Sequence, residues 1–402
     1  MLNERCTTDS IPFNSKASVR DRIRDRVRDA IEEVLDEELE AALGAGRHVR
    51  TGDRAGYRNG TQRRTVVTER GPTELKIPRG RLFKEEGGSQ EWRSELLPRY
   101  QRRTAEVDEA ILGSYLSGTN TRRIHRALAP LLGDTALSKS AVSRIVARLT
   151  KLFDEWSGRD LAGERYLVVY LDAMRLPIRM AGRVVKVPVQ AVLGVKADGQ
   201  KVLVALHVAA SESTAAWSSI LQDLVGRHLP APTLVVIDGC KGLRNAVGQA
   251  WPTSLVQRCT KHKLENLLTK APQHCQQELK RDYRAITHAE SASLAHKAYD
   301  SFVRKWSKLL PAVAASIEEA GLELLTFTRF PKSQWKSLRT TNMLERINGE
   351  FRRRTKTQGS FRHERSALVL LFGLIAMGQI RLRKIDGWQH LDRYEEIVNR
   401  AA

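Results

Sequence analysis

The sequence predicts an α/β protein whose mixed sheet is interrupted by an all-helical insertion. Two apolar runs that end in an aspartate, residues 166–172 and 234–238, are typical of buried strands. Two more apolar runs lie between them and flank an Asp-Gly pair, which predicts a hairpin. Helical spacing then dominates residues 262–321. A small β-hairpin region and a helical, helix-turn-helix-like domain are predicted to precede the sheet.

The length of the chain favours several domains, since 402 residues exceed one typical hydrophobic core. Changes in periodicity divide it into seven segments. We expect an N-terminal amphipathic helix in 1–45, a small β region that binds DNA in 46–100, a helix-turn-helix-like DNA-binding domain in 101–157, the first part of the sheet domain in 158–260, the helical insertion in 261–337, the second part of the sheet domain in 338–386, and a C-terminal tail in 387–402.

The net charge of +21 indicates a polyanionic partner, because cations that neutralise phosphates release condensed counterions. Nucleic acid is the partner we favour, and ribosome-like or membrane-surface binding is the alternative from composition. No apolar run approaches the roughly 18 residues of a membrane span, and the N-terminus lacks a signal-peptide core. Four cysteines form no disulfide framework in so long a chain. We therefore expect a soluble, intracellular protein.

The N-terminal region begins with a predicted amphipathic helix over residues 19–43. Apolar residues recur three and four positions apart, and Gly44 and Gly46 end the pattern. Its charged side is a solvated face or a surface for a partner helix. Two β-type runs, residues 63–68 and 73–77, then flank Gly71 and Pro72, which predicts a hairpin.

Three helical segments follow, at residues 107–116, 121–132 and 138–149, with Asn120 and Ser138 as N-cap residues. The last two predict a helix-turn-helix, whose second helix would contact DNA. The turn, roughly residues 132–137, is longer than usual for the motif, and a three-helix bundle with a basic surface is the alternative. Residues 151–164 are predicted to be a linker. The candidate DNA contacts of the last helix are Lys139, Ser143, Arg144 and Arg148.

The predicted sheet begins with a strand that ends at Asp172. Runs at 184–195 and 201–209 flank Asp198 and Gly199, which predicts a hairpin with a type I′ turn. A helix over 213–225 leads to the strand that ends at Asp238, and residues 251–257 offer a further strand. The apolar helix over 367–380 is expected to pack on this sheet. Aspartates at strand ends lie where open α/β sheets usually bind ligands.

A third acid, Glu345, lies on a helix that follows the insertion. Asn342 fits an N-cap, so a capping box is one interpretation of Glu345. At helical spacing Glu345 also shares a face with Asn348 and Arg352, opposite an apolar face. A carboxylate placed before a dense basic run suits a metal ligand beside bound phosphate groups.

The three acids Asp172, Asp238 and Glu345 are therefore candidate metal ligands and catalytic residues. Two aspartates from adjacent strand ends and one glutamate from a helix suit two divalent ions about 4 Å apart, which support in-line phosphoryl transfer. Carboxylates rather than histidine or cysteine are needed because Mg²⁺ prefers oxygen ligands. The alternative for each aspartate is a helix cap or a member of an ion pair.

Basic residues around Glu345 are candidate phosphate contacts, with ion pairs to other acids as the alternative. They are Arg339, Arg346, Arg352, Arg353, Arg354 and Lys356. Trp306 and Trp335 offer either stacking on a base or core packing, and we favour core packing.

Several long motifs resemble the bacterial insertion-sequence transposases of the Mutator type. They are YRNGTQRRTVVTERGPTELKIPR, YLVVYLDAMRLPIR, LVVIDGCKGLRNAV, VQRCTKHKLENLLTKAP and FPKSQWKSLRTTNMLERINGEFRRRT, in that order. The resemblance implies a ribonuclease H-like catalytic domain whose DDE triad falls on Asp172, Asp238 and Glu345. It also implies two Mg²⁺ ions, for which Mn²⁺ can substitute, and cleavage of transposon ends followed by joining of a 3′-hydroxyl to target DNA.

The same resemblance implies double-stranded DNA as partner, both transposon ends and target, with a homodimer or higher homo-oligomer on the DNA. It implies no membrane partner and no small-molecule substrate. It also implies that the protein is located in the bacterial cytoplasm, associated with the nucleoid. The family's Cys-x-x-His falls on Cys259 and His262, for which we favour a structural role over a zinc site. The alternative functions are a catalytically silent DNA-binding repressor or domesticated relative, and a ribonuclease H-like structure-specific nuclease.

Overall fold

A computed structural model describes residues 14–49, 51–119, 121–132 and 139–394 of the chain. The chain separates into two units, Met1–Ala147 and Arg148–Ala402. The first unit holds a three-stranded sheet and the second a five-stranded sheet. The described residues include no helix that is both long and apolar enough to cross a membrane.

The first unit packs a long helix on a small antiparallel sheet. Its elements are α1 (Asn14–Leu43), β1 (Gly56–Thr68), β2 (Gly71–Phe83) and β3 (Ser89–Glu91). Leu35 of the helix is buried against Val66 and Leu75 of the first two strands. The predicted hairpin around Gly71 is confirmed, and the short third strand, which pairs with β2, was not predicted.

Three helices follow: α2 (Ala105–Leu116), α3 (Thr121–Leu132) and α4 (Lys139–Ser157). They confirm the three predicted helical segments. The turn on which the helix-turn-helix prediction depends, and the predicted N-caps Asn120 and Ser138, lie outside the described residues. The predicted linker from residue 151 is wrong, since α4 continues to Ser157. Phe153 and Trp156 extend its apolar side and pack against the Phe372 ring.

The second unit is built on a mixed sheet with strand order β6-β5-β4-β7-β8. Strands β6, β5 and β4 are antiparallel, whereas β4, β7 and β8 are parallel. This confirms the α/β class and the mixed sheet. The elements are β4 (Val168–Met180), β5 (Arg183–Val195), β6 (Lys201–Val208), α5 (Thr214–Gly226), β7 (Leu234–Ile237), α6 (Lys241–Ala250) and β8 (Leu255–Arg258).

Strand β4 does not end at Asp172, as the sequence predicted, but continues to Met180. The chain then reverses at Ala181 and Gly182, whose φ angles of 45° and 80° are both positive. Positive φ at both central residues is the requirement of a type I′ hairpin turn. We missed this hairpin because arginines and a proline break the apolar pattern after Asp172.

The second hairpin confirms the predicted position of the turn but not its type. Gly199 has a φ of 82°, whereas Asp198 is not among the residues with positive φ, so the turn is not type I′. The amide of Lys196 donates to the carbonyl of Gln200 at 2.9 Å, which closes a longer connection. A Cβ at Gly199 would lie 2.3 Å from the Trp388 side chain. Glycine is therefore required both for φ and for packing.

The predicted helical insertion is present, and further helices follow it. The α-helices are α7 (Thr260–Thr269), α8 (Gln276–Thr287), α9 (Ala292–Leu309), α10 (Pro311–Ala320), α11 (Trp335–Leu338), α12 (Asn342–Lys356) and α13 (Glu364–Ala376). Short 3-10 helices lie at Gln273–Cys275, Gly321–Leu324, Thr326–Arg329, Lys332–Gln334 and Trp388–Arg393. Trp306 and Trp335 are buried, which favours their core-packing interpretation. Helix α13 contacts β6, as predicted for the apolar helix.

An ion-pair cluster with two buried cations fastens the insertion to the sheet. Arg258 ends β8 and Lys263 lies on α7, and both are 4% exposed. The Glu319 carboxylate on α10 accepts hydrogen bonds from Arg258 at 3.0 Å and from Lys263 at 2.9 Å. Burial alone raises the pKa of Glu319, but the hydrogen bonds from Lys263 and Arg258 outweigh it and lower the pKa below its usual 4.5.

We expect Glu319→Gln to destabilise the second unit by roughly 1–2 kcal/mol, because two buried cations lose a counter-charge that solvent partly screens. Urea unfolding followed by tryptophan fluorescence measures this cost. The cost should be full above pH 4.5 and should shrink as pH falls and wild-type Glu319 takes up its proton. Glu318→Gln, an exposed neighbour, is the control. Equal stability of the two variants would contradict the cluster's role.

Candidate active site

The parallel pairing of β4 with β7 brings two of the predicted acids together. Val168, Val169 and Tyr170 lie opposite Leu234, Val235 and Val236, and the pairing then stops. The same offset places Asp172 level with Asp238, on neighbouring strands that are spaced about 4.8 Å apart. Asp172 thus lies within a long strand, yet just past the end of the parallel pairing.

Asp172 points away from the core formed with α5 and α6. Val169 and Leu171 pack into that core, so the alternating residues Tyr170 and Asp172 face the opposite side of the sheet. The Tyr170 hydroxyl donates to the Ser337 carbonyl at 3.2 Å. Asp172 is 7% exposed and therefore meets helix α12 inside the protein.

Both oxygens of the Asp172 carboxylate have hydrogen-bond donors. Oδ1 accepts from the amide of Ala173 at 2.9 Å, and Oδ2 accepts from Nδ2 of Asn348 at 3.0 Å. Burial raises the pKa of Asp172 to about 7, and the carboxylates of Asp238 and Glu345 also raise it while His262 lowers it. The three predicted acids are therefore close enough to repel one another.

Asp238 follows the last residue of β7 and is fixed by a tight loop. Its Oδ1 accepts from the amide of Cys240 at 2.9 Å. Gly239 has a φ of 94°, and a Cβ there would lie 2.7 Å from the Arg258 guanidinium. That guanidinium also donates to the Gly239 carbonyl at 2.7 Å. The Asp-Gly pair is thus needed to turn the chain beside Arg258.

Glu345 lies in the first turn of α12, but it does not form the capping box considered above. The N-cap residue is Thr341, and its side chain makes no capping hydrogen bond. The Glu345 carboxylate instead accepts a short hydrogen bond from Lys261 through Oε2. Its Oε1 lies 3.7 Å from Nε2 of His262. Two cations of α7 therefore face this carboxylate.

Cys259 and His262 join the start of α7 to the start of α12. The Cys259 sulfur is fully buried and accepts from the amide and the hydroxyl of Thr341, both at 3.4 Å. The Cys259 side chain raises the pKa of His262 to about 9, with further contributions from Asp172 and Glu345. The ring is thus a cation at neutral pH. This geometry agrees with the structural role predicted for the pair, which stays a prediction.

The oxygen atoms around the three acids fit a hard cation. In the described part of the chain, no group of three or more His, Cys, Asp or Glu side chains forms a ready metal cluster. Oε1 of Glu345 and Oδ1 of Asn348 are nevertheless buried without a hydrogen-bond partner. Unpaired buried oxygens are costly, and Mg²⁺ takes oxygen ligands, so the donor set suits this ion.

Three of the four predicted DNA contacts of α4 have exposed side chains. Ser143, Arg144 and Arg148 are exposed, and Lys139 is the first residue of the helix. Ile145 and Leu149 lie buried on its other side. The helix therefore presents a polar side on which these residues could meet DNA.

The predicted basic contacts near Glu345 separate into two groups. Arg339 is half-buried and donates to the Thr287 carbonyl at 2.6 Å, so it holds α8 in place. Arg353 is exposed and pairs with Glu350 at 2.8 Å. The exposed members also include Arg346, Arg352 and Lys356, whereas Arg354 is half-buried.

Sequence reasoning missed the contacts that Asn348 and Lys261 make. Asn348 was placed on the face of Glu345, but helical spacing does not show that its amide would reach Asp172. Lys261 lies between Cys259 and His262 of the Cys-x-x-His motif. That position was the only feature of the sequence that could have pointed to a role for Lys261 at the site. Both contacts join segments far apart in the chain, so local periodicity could not reveal them.

Comparisons with known proteins agree with the resemblance noted in the sequence. A family model described as "Transposase, Mutator family" matches residues 3–379. The transposase for insertion sequence element ISRM5 of Rhizobium meliloti (strain 1021) is 34% identical over 86% of this chain and 83% of its own length. The transposase for insertion sequence element IS1081 of Mycobacterium tuberculosis is 32% identical over 89% of this chain and 83% of its own length.

One solved structure is a weak match. The Drosophila P element transposase strand transfer complex is matched over 74% of this chain and 84% of that chain, with 12% identity and a TM-score of 0.28. No conclusion about the fold rests on a similarity this low.

We expect the hydrogen bond between Asn348 and Asp172 to appear as a coupling energy in a double-mutant cycle. Asn348→Leu should cost about 2 kcal/mol of the free energy of unfolding in the wild type, because a buried carboxylate loses its donor. It should cost less in the Asp172→Asn background. Urea unfolding of the four proteins measures the difference.

The matched control for that cycle is Thr355→Val, a buried residue of the same helix whose hydroxyl donates only to the Arg352 carbonyl. Its cost should be the same in both backgrounds, since distant sites usually add. Equal costs for Asn348→Leu in both backgrounds would refute the contact.

Proposed function

This chain belongs to the Mutator family of transposases, and we propose that it is the transposase of an insertion sequence. In this proposal it binds the terminal inverted repeats and cleaves the transposon end by in-line hydrolysis. The freed 3′-hydroxyl then attacks a phosphodiester of the target DNA. The reaction class is metal-dependent phosphoryl transfer on DNA.

One observation supports the proposal: Asp172, Asp238 and Glu345 belong to elements that lie together at one edge of the sheet. The first two lie level on adjacent strands, and Asn348 ties the helix of Glu345 to Asp172. Burial raises the pKa of Asp172 to about 7, and perturbed groups of this kind concentrate at functional sites. The DDE triad implied by the sequence corresponds to these three acids.

We also propose that the second unit is a ribonuclease H-like domain. The five-stranded mixed sheet supports this proposal. Asp172 lies on β4, which pairs antiparallel with β5 on one side and parallel with β7 on the other, and Asp238 directly follows β7. The helices α7 to α10 then form an insertion between the second aspartate and the glutamate. This arrangement agrees with the family's expected catalytic domain.

Two Mg²⁺ ions, with Mn²⁺ as a substitute, are proposed as cofactors held by Asp172, Asp238 and Glu345. When bound, such a pair lowers the pKa of a water or 3′-hydroxyl and stabilises the attacking and leaving oxygens. Oε1 of Glu345 and Oδ1 of Asn348, which accept no hydrogen bond, support an oxygen-liganded cation at this edge. The Asn348 amide also keeps Asp172 in one orientation.

The remaining residues of the site position these acids. The amide of Cys240 fixes Asp238, and Thr341 anchors the start of α12 on the Cys259 sulfur. Lys261 and His262 supply positive charge beside Glu345, which offsets the repulsion among the carboxylates. We propose that Cys259 and His262 hold this arrangement together and bind no zinc.

We propose that double-stranded DNA reaches the site along exposed basic surfaces. Arg346, Arg352 and Lys356 lie on the same helix as Glu345 and are exposed to solvent. Arg144 and Arg148 of α4 are further candidates for end recognition. Since two transposon ends must be held together, we propose a homodimer or higher homo-oligomer on the DNA, in the nucleoid.

Substitution of any one acid should abolish catalysis but spare DNA binding. We expect Asp172→Ala, Asp238→Ala and Glu345→Ala each to lower end cleavage by on the order of 10⁴-fold, as loss of a catalytic residue commonly does. Cleavage and strand transfer on labelled end DNA, together with a binding assay without metal ion, measure both properties.

The matched control is Glu350→Ala, an acid on the same helix that pairs with Arg353 instead of facing the site. It should retain activity. Strand transfer by any triad variant would refute the assignment. Wild-type protein that cuts but never joins pre-cleaved ends would identify a nuclease, and protein that binds ends without cutting would identify a repressor.

Lys261 should compete with metal ions for Glu345. Because its ammonium occupies Oε2, we expect Lys261→Gln to tighten Mn²⁺ or Mg²⁺ binding in the absence of DNA by about two- to fivefold, the value of a partly exposed ion pair. Calorimetric titration measures the affinity. Lys270→Gln, the same charge change at the far end of α7, should leave it unchanged. Unchanged or weaker binding by Lys261→Gln would contradict the competition.

A further inference from the structure

Strands β4 and β5 extend beyond the sheet as a two-stranded arm. The pairing of β4 with β7 stops at Tyr170, and the pairing of β5 with β6 begins only at Val189. The pairing between β4 and β5 continues to Met180 opposite Arg183. We call residues 174–188 the hairpin arm. It begins two residues after Asp172.

The hairpin arm carries only positive charge. Residues 173–188 include no aspartate or glutamate, and the arm's cations are Arg175, Arg179, Arg183 and Lys186, all of them exposed. Arg175 pairs with Glu212 at 3.2 Å. Within the described part of the chain, no ion pair joins the other three cations to a carboxylate. Their charge is therefore available to a partner.

Most of this charge lies on one face of the arm. Met174, Leu176 and Ile178 are buried on one side, so Arg175 and Arg179 project from the other. Cross-strand pairs share a face, and Lys186 lies opposite Pro177. Lys186 therefore joins the two arginines, and Arg183 lies at the turn.

The arm is held rigidly beside helix α12. The amide of Arg179 donates to the Phe361 carbonyl at 2.8 Å, and the amide of Phe361 donates to the Pro177 carbonyl at 3.0 Å. The chain from Lys356 to Phe361 spans at most roughly 18 Å. The basic end of α12 and the hairpin arm are therefore close in the chain fold, while Arg175 and Arg179 project from the face of the sheet opposite to that of Asp172.

We propose that the hairpin arm is a DNA-contacting element that binds the sugar-phosphate backbone of duplex DNA flanking the phosphodiester being cleaved. The inference rests on the proposed function, which places DNA at the triad. Arg175 and Arg179 are about 13 Å apart along the strand, over which a duplex presents roughly eight phosphates. An acidic protein could also bind this basic surface. Only a DNA substrate, however, explains why the surface starts two residues after Asp172.

The test is the variant Arg179→Gln/Arg183→Gln/Lys186→Gln, which leaves Arg175 and its ion pair in place. Its affinity for duplex DNA carrying a transposon end is measured by fluorescence anisotropy over a series of salt concentrations, without metal ion. Each lost phosphate contact should lower the slope of log Kd against log salt by about 0.9, so we expect a fall of between about one and three.

The matched control removes three exposed lysines of the insertion, Lys280→Gln/Lys297→Gln/Lys308→Gln, with the same change of charge. Hydroxyl-radical footprinting locates the effect. Loss of protection confined to the neighbourhood of the cleaved phosphodiester, in the arm variant alone, is the expected result. An unchanged slope, or equal losses in both variants, would overturn the proposal, and an arm variant that instead loses an acidic protein partner would reassign the surface.

A second variant guards against misfolding. Arg179→Lys/Arg183→Lys keeps the charge and should retain the slope and the footprint, because phosphate neutralisation needs only a cation. Loss of binding in this variant would mean that the arm acts through structure, which would overturn the proposal. DNA binding by the arm is measured without metal ion and does not depend on cleavage. If the triad variants still cleaved DNA, the proposed chemistry would be wrong, but the binding result for the arm would still hold.

Discussion

The hydrogen bond from Asn348 to Asp172 is the contact on which the candidate site depends, because it joins the two separated parts of the sheet domain. Asp172 belongs to the first strand of the sheet, and Asn348 belongs to a helix that follows the whole insertion. Both side chains are buried, so neither finds water as a substitute partner. One turn before Asn348, the same helix carries Glu345. The carboxylate of Asp172 thus holds in place the helix that supplies Glu345 to the same candidate site.

The long insertion can be tolerated because its ends are fastened where it leaves and rejoins the sheet. The Thr260 amide and hydroxyl both donate to the Arg339 carbonyl, and the Arg339 guanidinium donates to the Thr287 carbonyl. Closing a long loop costs entropy that grows only slowly with length. A few buried contacts at its base therefore keep Cys259 and Glu345 in register, whatever the length of chain between them.

The sequence was sufficient to predict the α/β class, the mixed sheet and the run of helices after β8, because each depends on local periodicity. The role of the three acids stays a prediction that rests on a motif. The extent of β4 was missed because the continuous apolar run ends at Leu171 and Pro177 is unusual inside a strand. The alternation of the buried Met174, Leu176 and Ile178 with Arg175, Pro177 and Arg179 was the signal that could have shown it. The hydrogen bond between Asn348 and Asp172 was hidden, because no local pattern reports which buried groups meet across a chain fold.

The charge of the site explains why its surroundings are basic. Burial raises the pKa of Asp172, and the carboxylates of Asp238 and Glu345 raise it further. The same three acids would repel a phosphodiester. Lys261 and His262 counter that field at close range, but both are engaged with Glu345. Attraction of DNA must then come from cations farther out, on the end of α12 and on the hairpin arm. Because an exposed basic surface attracts phosphate over roughly one Debye length, about 10 Å, cations placed outside the triad can attract DNA without themselves pairing with the triad carboxylates.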